Sequence, residues 1–129
     1  MSQKNKYKVL IVDDDQFISE MYVLKFKEAG FDVHTAGDGQ TAIESITKNT
    51  PDVVLLDIIL PNMDGFDILK SLAENDILKK TKVILLSNLG EKKDIEKGLS
   101  LGAIDYVVKA HFTPSEVVQK IEGILEGGK

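Results

Sequence analysis

The chain contains no cysteine and no arginine. Without cysteine, thiol catalysis, dithiol redox chemistry and zinc–thiolate sites are excluded. All 16 basic residues are lysines, set among 21 acidic residues to give a net charge of −5. Lacking guanidinium groups, the chain has no bidentate fork for guanine edges, and its lysines form no basic stripe, so direct nucleic-acid binding is not expected. Long apolar runs are also missing. No stretch approaches membrane-spanning length, and Met1-Ser2-Gln3-Lys4-Asn5-Lys6 carries no apolar signal core. A cytoplasmic protein with no membrane contact is expected.

At 129 residues, a single domain over 1–129 with a core over about 7–125 is expected, long enough to bury about two-thirds of its unfolded surface without staples. Strand and helix patterns alternate along it. Strands are predicted at Tyr7–Val12, Phe31–Ala36, Val53–Leu56, Lys82–Leu86 and Ile104–Val108. Helices are predicted at Gln16–Ala29, Gly39–Lys48, Gly65–Ala73 and Glu91–Leu101, with a fifth after Thr113-Pro114-Ser115-Glu116. That last segment offers an N-cap threonine, a proline at the first helical position and a capping-box glutamate. Val117, Val118, Ile121, Ile124 and Leu125 form its buried stripe, and Gly127-Gly128 ends it. For the first helix the expected apolar side is Phe17, Ile18, Met21, Leu24 and Phe26, with Gly30 as its stop. Five strands alternating with five helices imply an α/β, doubly wound parallel sheet covered on both faces. Such sheets bind ligands beyond the carboxyl ends of their strands.

The strand ends are where the chemistry gathers. Asp13, Asp14 and Asp15 follow Val9-Leu10-Ile11-Val12; Asp57 follows Val53-Val54-Leu55-Leu56; Ser87 follows Val83-Ile84-Leu85-Leu86; Lys109 follows Tyr106-Val107-Val108. Two carboxylates about 4 Å apart repel by roughly 4 kcal/mol at an effective dielectric near 20, so Asp13, Asp14 and Asp57 together call for a cation or for some of them to be protonated. Magnesium, which takes hard oxygens, one or two carboxylates and retained waters, suits them. The plainer role for Asp14 and Asp15 is to cap the first helix, and one of the three acids is expected to do so. A phosphoryl group on Asp57 would need a cation, a hydroxyl donor and an ammonium; Mg²⁺, Ser87 and Lys109 supply all three.

This constellation resembles the receiver domain of two-component response regulators over nearly the whole chain. The matching pieces are Val9-Leu10-Ile11-Val12-Asp13-Asp14, Leu55-Leu56-Asp57 with Pro61-Asn62-Met63-Asp64-Gly65, Ser87, and Gly102-Ala103 through Lys109. The resemblance implies a flavodoxin-like sheet of strand order 2-1-3-4-5. It implies a non-enzymatic signalling domain in which Asp57 is the phosphoacceptor, with a sensor histidine kinase or phosphotransfer protein as donor. It further implies Asp13, Asp14, Asp57 and the Ile59 backbone carbonyl as ligands of Mg²⁺ (or Mn²⁺). Ser87 matches the switch hydroxyl and Lys109 the phosphoryl-contacting lysine. Tyr106 matches the switch aromatic, although strand-end packing explains a tyrosine there equally well. The fourth-helix, fifth-strand and fifth-helix face would be re-presented to a downstream protein target, from a monomer or a phosphorylation-dependent dimer. If the chain is complete, no output domain follows the fifth helix and a stand-alone, chemotaxis-regulator-like type is expected; a fragment of a larger regulator would carry its effector beyond Lys129.

Three departures from the family pattern stand out. Ala110 replaces the proline that usually follows the lysine, so a trans Lys109–Ala110 bond and an altered loop are expected. Asn88 follows the switch serine where a small residue is usual, and would narrow access to the phosphoryl group. Ile59 and Leu89 flank the path of an attacking water and cannot orient it, which predicts slow hydrolysis. His34 and His111 read as structural or exposed, and Lys92-Lys93 as a solvated helix face. Two other functions remain open: an interaction module that takes no phosphate, and a phosphohydrolase using the Asp13-Asp14-Asp15 D-x-D spacing, against which stand Phe17 and the lack of a later acidic pair.

Overall fold

The chain's computed structural model describes residues 7–127. The N-terminal Met1–Lys6 segment and the second glycine of the Gly127-Gly128 stop lie outside them. Five apolar runs form the strands β1 (Lys8–Val12), β2 (Asp32–Ala36), β3 (Val53–Leu56), β4 (Lys82–Ser87) and β5 (Asp105–Val108). They pair in parallel in the order β2-β1-β3-β4-β5. Between and after them run α1 (Gln16–Glu28), α2 (Gly39–Asn49), α3 (Gly65–Glu74), α4 (Lys92–Ser100) and α5 (Pro114–Gly127). The element order and the doubly wound sheet are those expected from the periodicity, with bounds shifted by a residue or so at most elements.

Side chains of a strand alternate between faces, and the sheet uses both. Val9 and Ile11 face Tyr22 and Phe26 of α1 and Val117 and Ile121 of α5. Leu10 and Val12 face Ala42 and Ile46 of α2 and Ile68, Leu69 and Leu72 of α3. The fifth-helix expectations hold: Val117, Val118 and Ile121 are buried, and Ile124 and Leu125 pack at the margin. Thr113 and Glu116 make the reciprocal capping box, at 3.1 and 2.8 Å. Gly30 adopts φ 93° behind α1, and the Phe31 N–H reaches back to the Phe26 carbonyl at 3.0 Å, closing the helix as a glycine stop does.

The apolar side of α1 is a correction. Phe26 is fully buried and Ile18 packs at the core margin, but Phe17, Met21 and Leu24 are 72%, 41% and 57% exposed. The face toward the sheet carries Ser19, Tyr22 and Phe26 instead. Residues 17–18, 21–24 and 26 are apolar almost all round the helix, so periodicity could not choose a side. The position of the Phe26 ring, edge-on to Phe31 at 4.9 Å, makes the choice. Phe17, Met21 and Leu24, at i, i+4 and i+7, therefore form an exposed apolar stripe. No helix among the described residues is long and apolar enough to cross a membrane.

Candidate functional site

The sheet's own hydrogen bonding carries two carboxylates to its rim. The Asp13 N–H donates to the Ala36 carbonyl at 3.1 Å and the Asp57 N–H to the Val12 carbonyl at 3.0 Å. Each aspartate is thus held one rung past its strand. Both are buried, and between them lies Lys109, its Nζ 2.5 Å from Asp13 Oδ2 and 2.9 Å from Asp57 Oδ2. Burial alone would push the ammonium's pKa down, but the hydrogen bonds and charges of Asp13 and Asp57 outweigh it and hold the group above the ordinary lysine value. Lys109 stays charged throughout the neutral range.

The remaining carboxylate oxygens also have work. Asp13 Oδ1 accepts from the Asp15 N–H at 2.9 Å, and Asp57 Oδ1 from the Ile59 N–H at 3.2 Å. Of the three consecutive acids, Asp15 is the helix cap, accepting from the Ile18 N–H at 3.1 Å. That removes the second acid from the D-x-D reading. Asp14 is exposed and lines a cavity of about 230 Å³ with Asp13, Gln16, Ser19 and Thr35.

Ser87 ends β4, fully buried, and its Oγ accepts from the Leu89 N–H at 3.3 Å. The Tyr106 hydroxyl donates to the carbonyl of the same Leu89. The ring is turned inward, and burial, with the negative charges of Asp94 and Asp57, pushes the phenol up to about 12, so it remains a donor. Ser87 and Tyr106 are therefore linked through one peptide segment. Ile59 is 58% exposed and Leu89 half-buried. His34, paired with Asp32 at 3.2 Å, and His111 are exposed, as are Lys92 and Lys93.

Two features go further than residue types alone announce. One is Gly65, the first residue of α3. A Cβ there would stand 2.4 Å from the Asp57 carbonyl oxygen and 2.8 Å from the Ile58 Cα. Its N–H donates to the Ile58 carbonyl at 2.8 Å. Only a residue without a side chain lets α3 start this close to the Asp57 segment. The other is a 3₁₀ turn over Lys109–His111, entered through a trans Lys109–Ala110 peptide, as the alanine predicts. There the Ala110 N–H donates to Asn88 Oδ1 at 3.1 Å.

The donor set fits a magnesium ion. The described residues hold no ready-made cluster of three His, Cys, Asp or Glu side chains able to bind a metal. Mg²⁺ does not need one, since it uses one or two carboxylates and keeps waters. With Asp14 beside the buried pair, one lysine leaves two negative charges uncompensated at this rim.

Comparison with known proteins agrees with the geometry. Residues 9–122 match the family model described as the response regulator receiver domain. The chain is 35% identical over 118 residues, 92% of its length and 48% of the relative's, to the alkaline phosphatase synthesis transcriptional regulatory protein PhoP of Bacillus subtilis. It superposes on the receiver domain of the Francisella response regulator 1452 with a TM-score of 0.88 at 35% identity, covering 96% of this chain and 100% of that one. It also superposes on a chain of the CheX-CheY-BeF3-Mg+2 complex from Borrelia burgdorferi, with TM-score 0.84, 33% identity, and 92% and 89% coverage. The chain spans about half the length of the curated relatives it matches.

Proposed function

Because the chain belongs to the response-regulator receiver domain family, we propose that its Asp57 carboxylate accepts a phosphoryl group from a histidine kinase or phosphotransfer protein. The observation that carries this reading is the Lys109 ammonium shared between two buried carboxylates at the sheet's rim. An acceptor oxygen and a charge-compensating donor already stand within hydrogen-bond reach there. Asp57 Oδ attacks phosphorus as the donor's N–P bond breaks; the new O–P bond forms on Asp57 and the histidine nitrogen leaves. Lys109 Nζ then pairs with a phosphoryl oxygen. The Ser87 hydroxyl turns from the Leu89 N–H to donate to another. Asp13, Asp14, Asp57 and the Ile59 carbonyl would hold Mg²⁺ (or Mn²⁺), which when bound neutralises charge on the transferring oxygens.

The same Leu89 segment joins Ser87 to Tyr106. Recruiting Ser87 to the phosphoryl group therefore changes what Tyr106 bonds to, and with it the α4, β5 and α5 face offered to a downstream protein. This is a population shift driven by contacts that differ between the two states.

The phosphodonor protein docks on α1. The exposed stripe of Phe17, Met21 and Leu24 adjoins a largely apolar groove of about 270 Å³ whose lining includes Ile18, Met21, Tyr22, Asn88, Lys109 and Ala110, so that it reaches the lysine paired with the two carboxylates. Phe17→Ala is expected to slow transfer from a phosphorylated protein donor by about tenfold, as loss of a buried aromatic anchor does, and to leave acetyl phosphate uptake unchanged. Equal slowing with both donors would contradict the docking assignment. Ile59→Asn with Leu89→Glu supplies groups able to orient water and is expected to shorten the phosphoryl lifetime by at least about tenfold, read from the decay of the phosphorylated mass. An unchanged lifetime would sink the slow-hydrolysis account.

Reductive trapping tests the function directly. Borohydride converts an aspartyl phosphate to homoserine; after incubation with Mg²⁺ and acetyl phosphate, peptide mapping should find homoserine at position 57. Homoserine elsewhere would reassign the acceptor.

A further inference from the structure

Asn88 and Ala110 each follow a residue on which the proposed phosphoryl chemistry depends. Asn88 comes directly after Ser87, and Ala110 directly after Lys109. The β4–β5 ladder ends with Ser87 opposite Val108. Beyond that rung the two chains leave the sheet, one toward α4 and the other into the 3₁₀ turn over Lys109–His111. The Asn88 side chain then supplies what the backbone no longer does: its Oδ1 accepts from the Ala110 N–H at 3.1 Å. This side-chain rung depends on both residues. A proline at 110 has no N–H to give, and a small apolar residue at 88 has no acceptor. The two departures from the family pattern are therefore halves of one contact.

We propose that the Asn88–Ala110 hydrogen bond is a positioning tie that fixes the Ser87 hydroxyl and the Lys109 ammonium at the separation needed to grip one phosphoryl group. The proposal rests on Asp57 being the phosphoacceptor. Ser87 and Lys109 must contact different oxygens of the same group, and each sits one residue before an end of the tie. Of the atoms that hold the β4–α4 loop to the β5–α5 turn, these are the closest in sequence to both. Misplacing a reacting group by a fraction of an ångström is costly in rate even where the lost bond adds little to stability. A solvent-exposed pair such as this one adds little.

The test uses the full chain, with Asn88→Ala to remove the acceptor and Asn88→Asp to keep an acceptor oxygen at the same position. Asn88→Ala is expected to slow phosphoryl gain from acetyl phosphate in Mg²⁺ by about fivefold. It should leave the urea midpoint nearly unmoved and raise hydrogen exchange of the Ala110 amide to that of an unprotected group. Asn88→Asp is expected to keep the protection at position 110, because an acceptor oxygen remains. Faster uptake by Asn88→Ala would make the side chain a steric gate and overturn the tie; an unchanged rate would overturn it as well. A wild-type chain that gains no phosphoryl group from acetyl phosphate or from a phosphorylated histidine protein refutes the acceptor reading instead. The tie is then judged on exchange alone, and equal Ala110 exchange in wild type and Asn88→Ala overturns it.

Discussion

Lys109→Ala is expected to lower stability by about 3 kcal/mol in the presence of a chelator, and to cut phosphoryl gain at Asp57 by at least about 100-fold. The substitution removes the ammonium that touches both Asp13 and Asp57, leaving two buried carboxylates without a paired lysine among the described residues. A buried pair contributes little net stability while intact, because desolvation offsets attraction. Removing one partner is different, since the stranded charge keeps the desolvation cost and loses the compensation. A divalent cation at the same carboxylates should restore much of the loss, because whatever binds the folded state alone stabilises it by mass action. The rate should not recover with it: a phosphoryl oxygen facing an alanine lacks the ammonium donor, which a cation held by the carboxylates would not replace. Urea unfolding with chelator and with excess Mg²⁺, beside the rate of mass gain, separates the two effects. Stability equal to wild type in chelator would mean that Lys109 does not compensate the pair in solution.

Gly65→Ala is expected to destabilise the fold by about 2–3 kcal/mol, at the upper end of overpacking in a well-packed region, and to slow phosphoryl gain by about 100-fold. The atoms that a new methyl would meet are backbone: the Asp57 carbonyl oxygen at 2.4 Å and the Ile58 Cα at 2.8 Å. No side chain can swing aside to make room. Either α3 retreats from the sheet, breaking the Gly65 N–H bond to the Ile58 carbonyl, or the segment after Asp57 shifts and carries the carboxylate away from Lys109. Gly98→Ala makes a useful contrast, because its nearest atom is the tip of the Leu85 side chain at 2.3 Å. A rotamer change there relieves much of the clash, so the rate at Asp57 should suffer far less. A Gly65→Ala protein with wild-type kinetics would show that α3 is free to move without disturbing Asp57.

These two positions also mark how far the amino-acid sequence could be read. Lys109, Asp13 and Asp57 were legible because each ends an apolar run, and strand ends of a parallel sheet converge on one rim. Their shared ion pair was not, since Lys109 lies 96 positions from Asp13 and the registers from β1 through β3 and β4 to β5 are all needed to bring it there. Gly65 stood in a recognisable run, Pro61-Asn62-Met63-Asp64-Gly65, but its reason is a backbone approach that residue types do not encode. The side of α1 was misread because apolar residues surround that helix, and the contacts of Tyr22 and Phe26 with the sheet decided the matter. Asn88 and Ala110 were each visible as departures, and their hydrogen bond emerged only with the 3₁₀ turn that presents the Ala110 N–H.

The most direct measurement is intact mass after incubation with acetyl phosphate, with and without Mg²⁺, for the wild-type chain and Asp57→Asn. The account predicts one added phosphoryl group in wild type with Mg²⁺, and none in the variant or when the cation is chelated. Equal gain in wild type and Asp57→Asn, or no gain in wild type from either acetyl phosphate or a phosphorylated histidine protein, would contradict it.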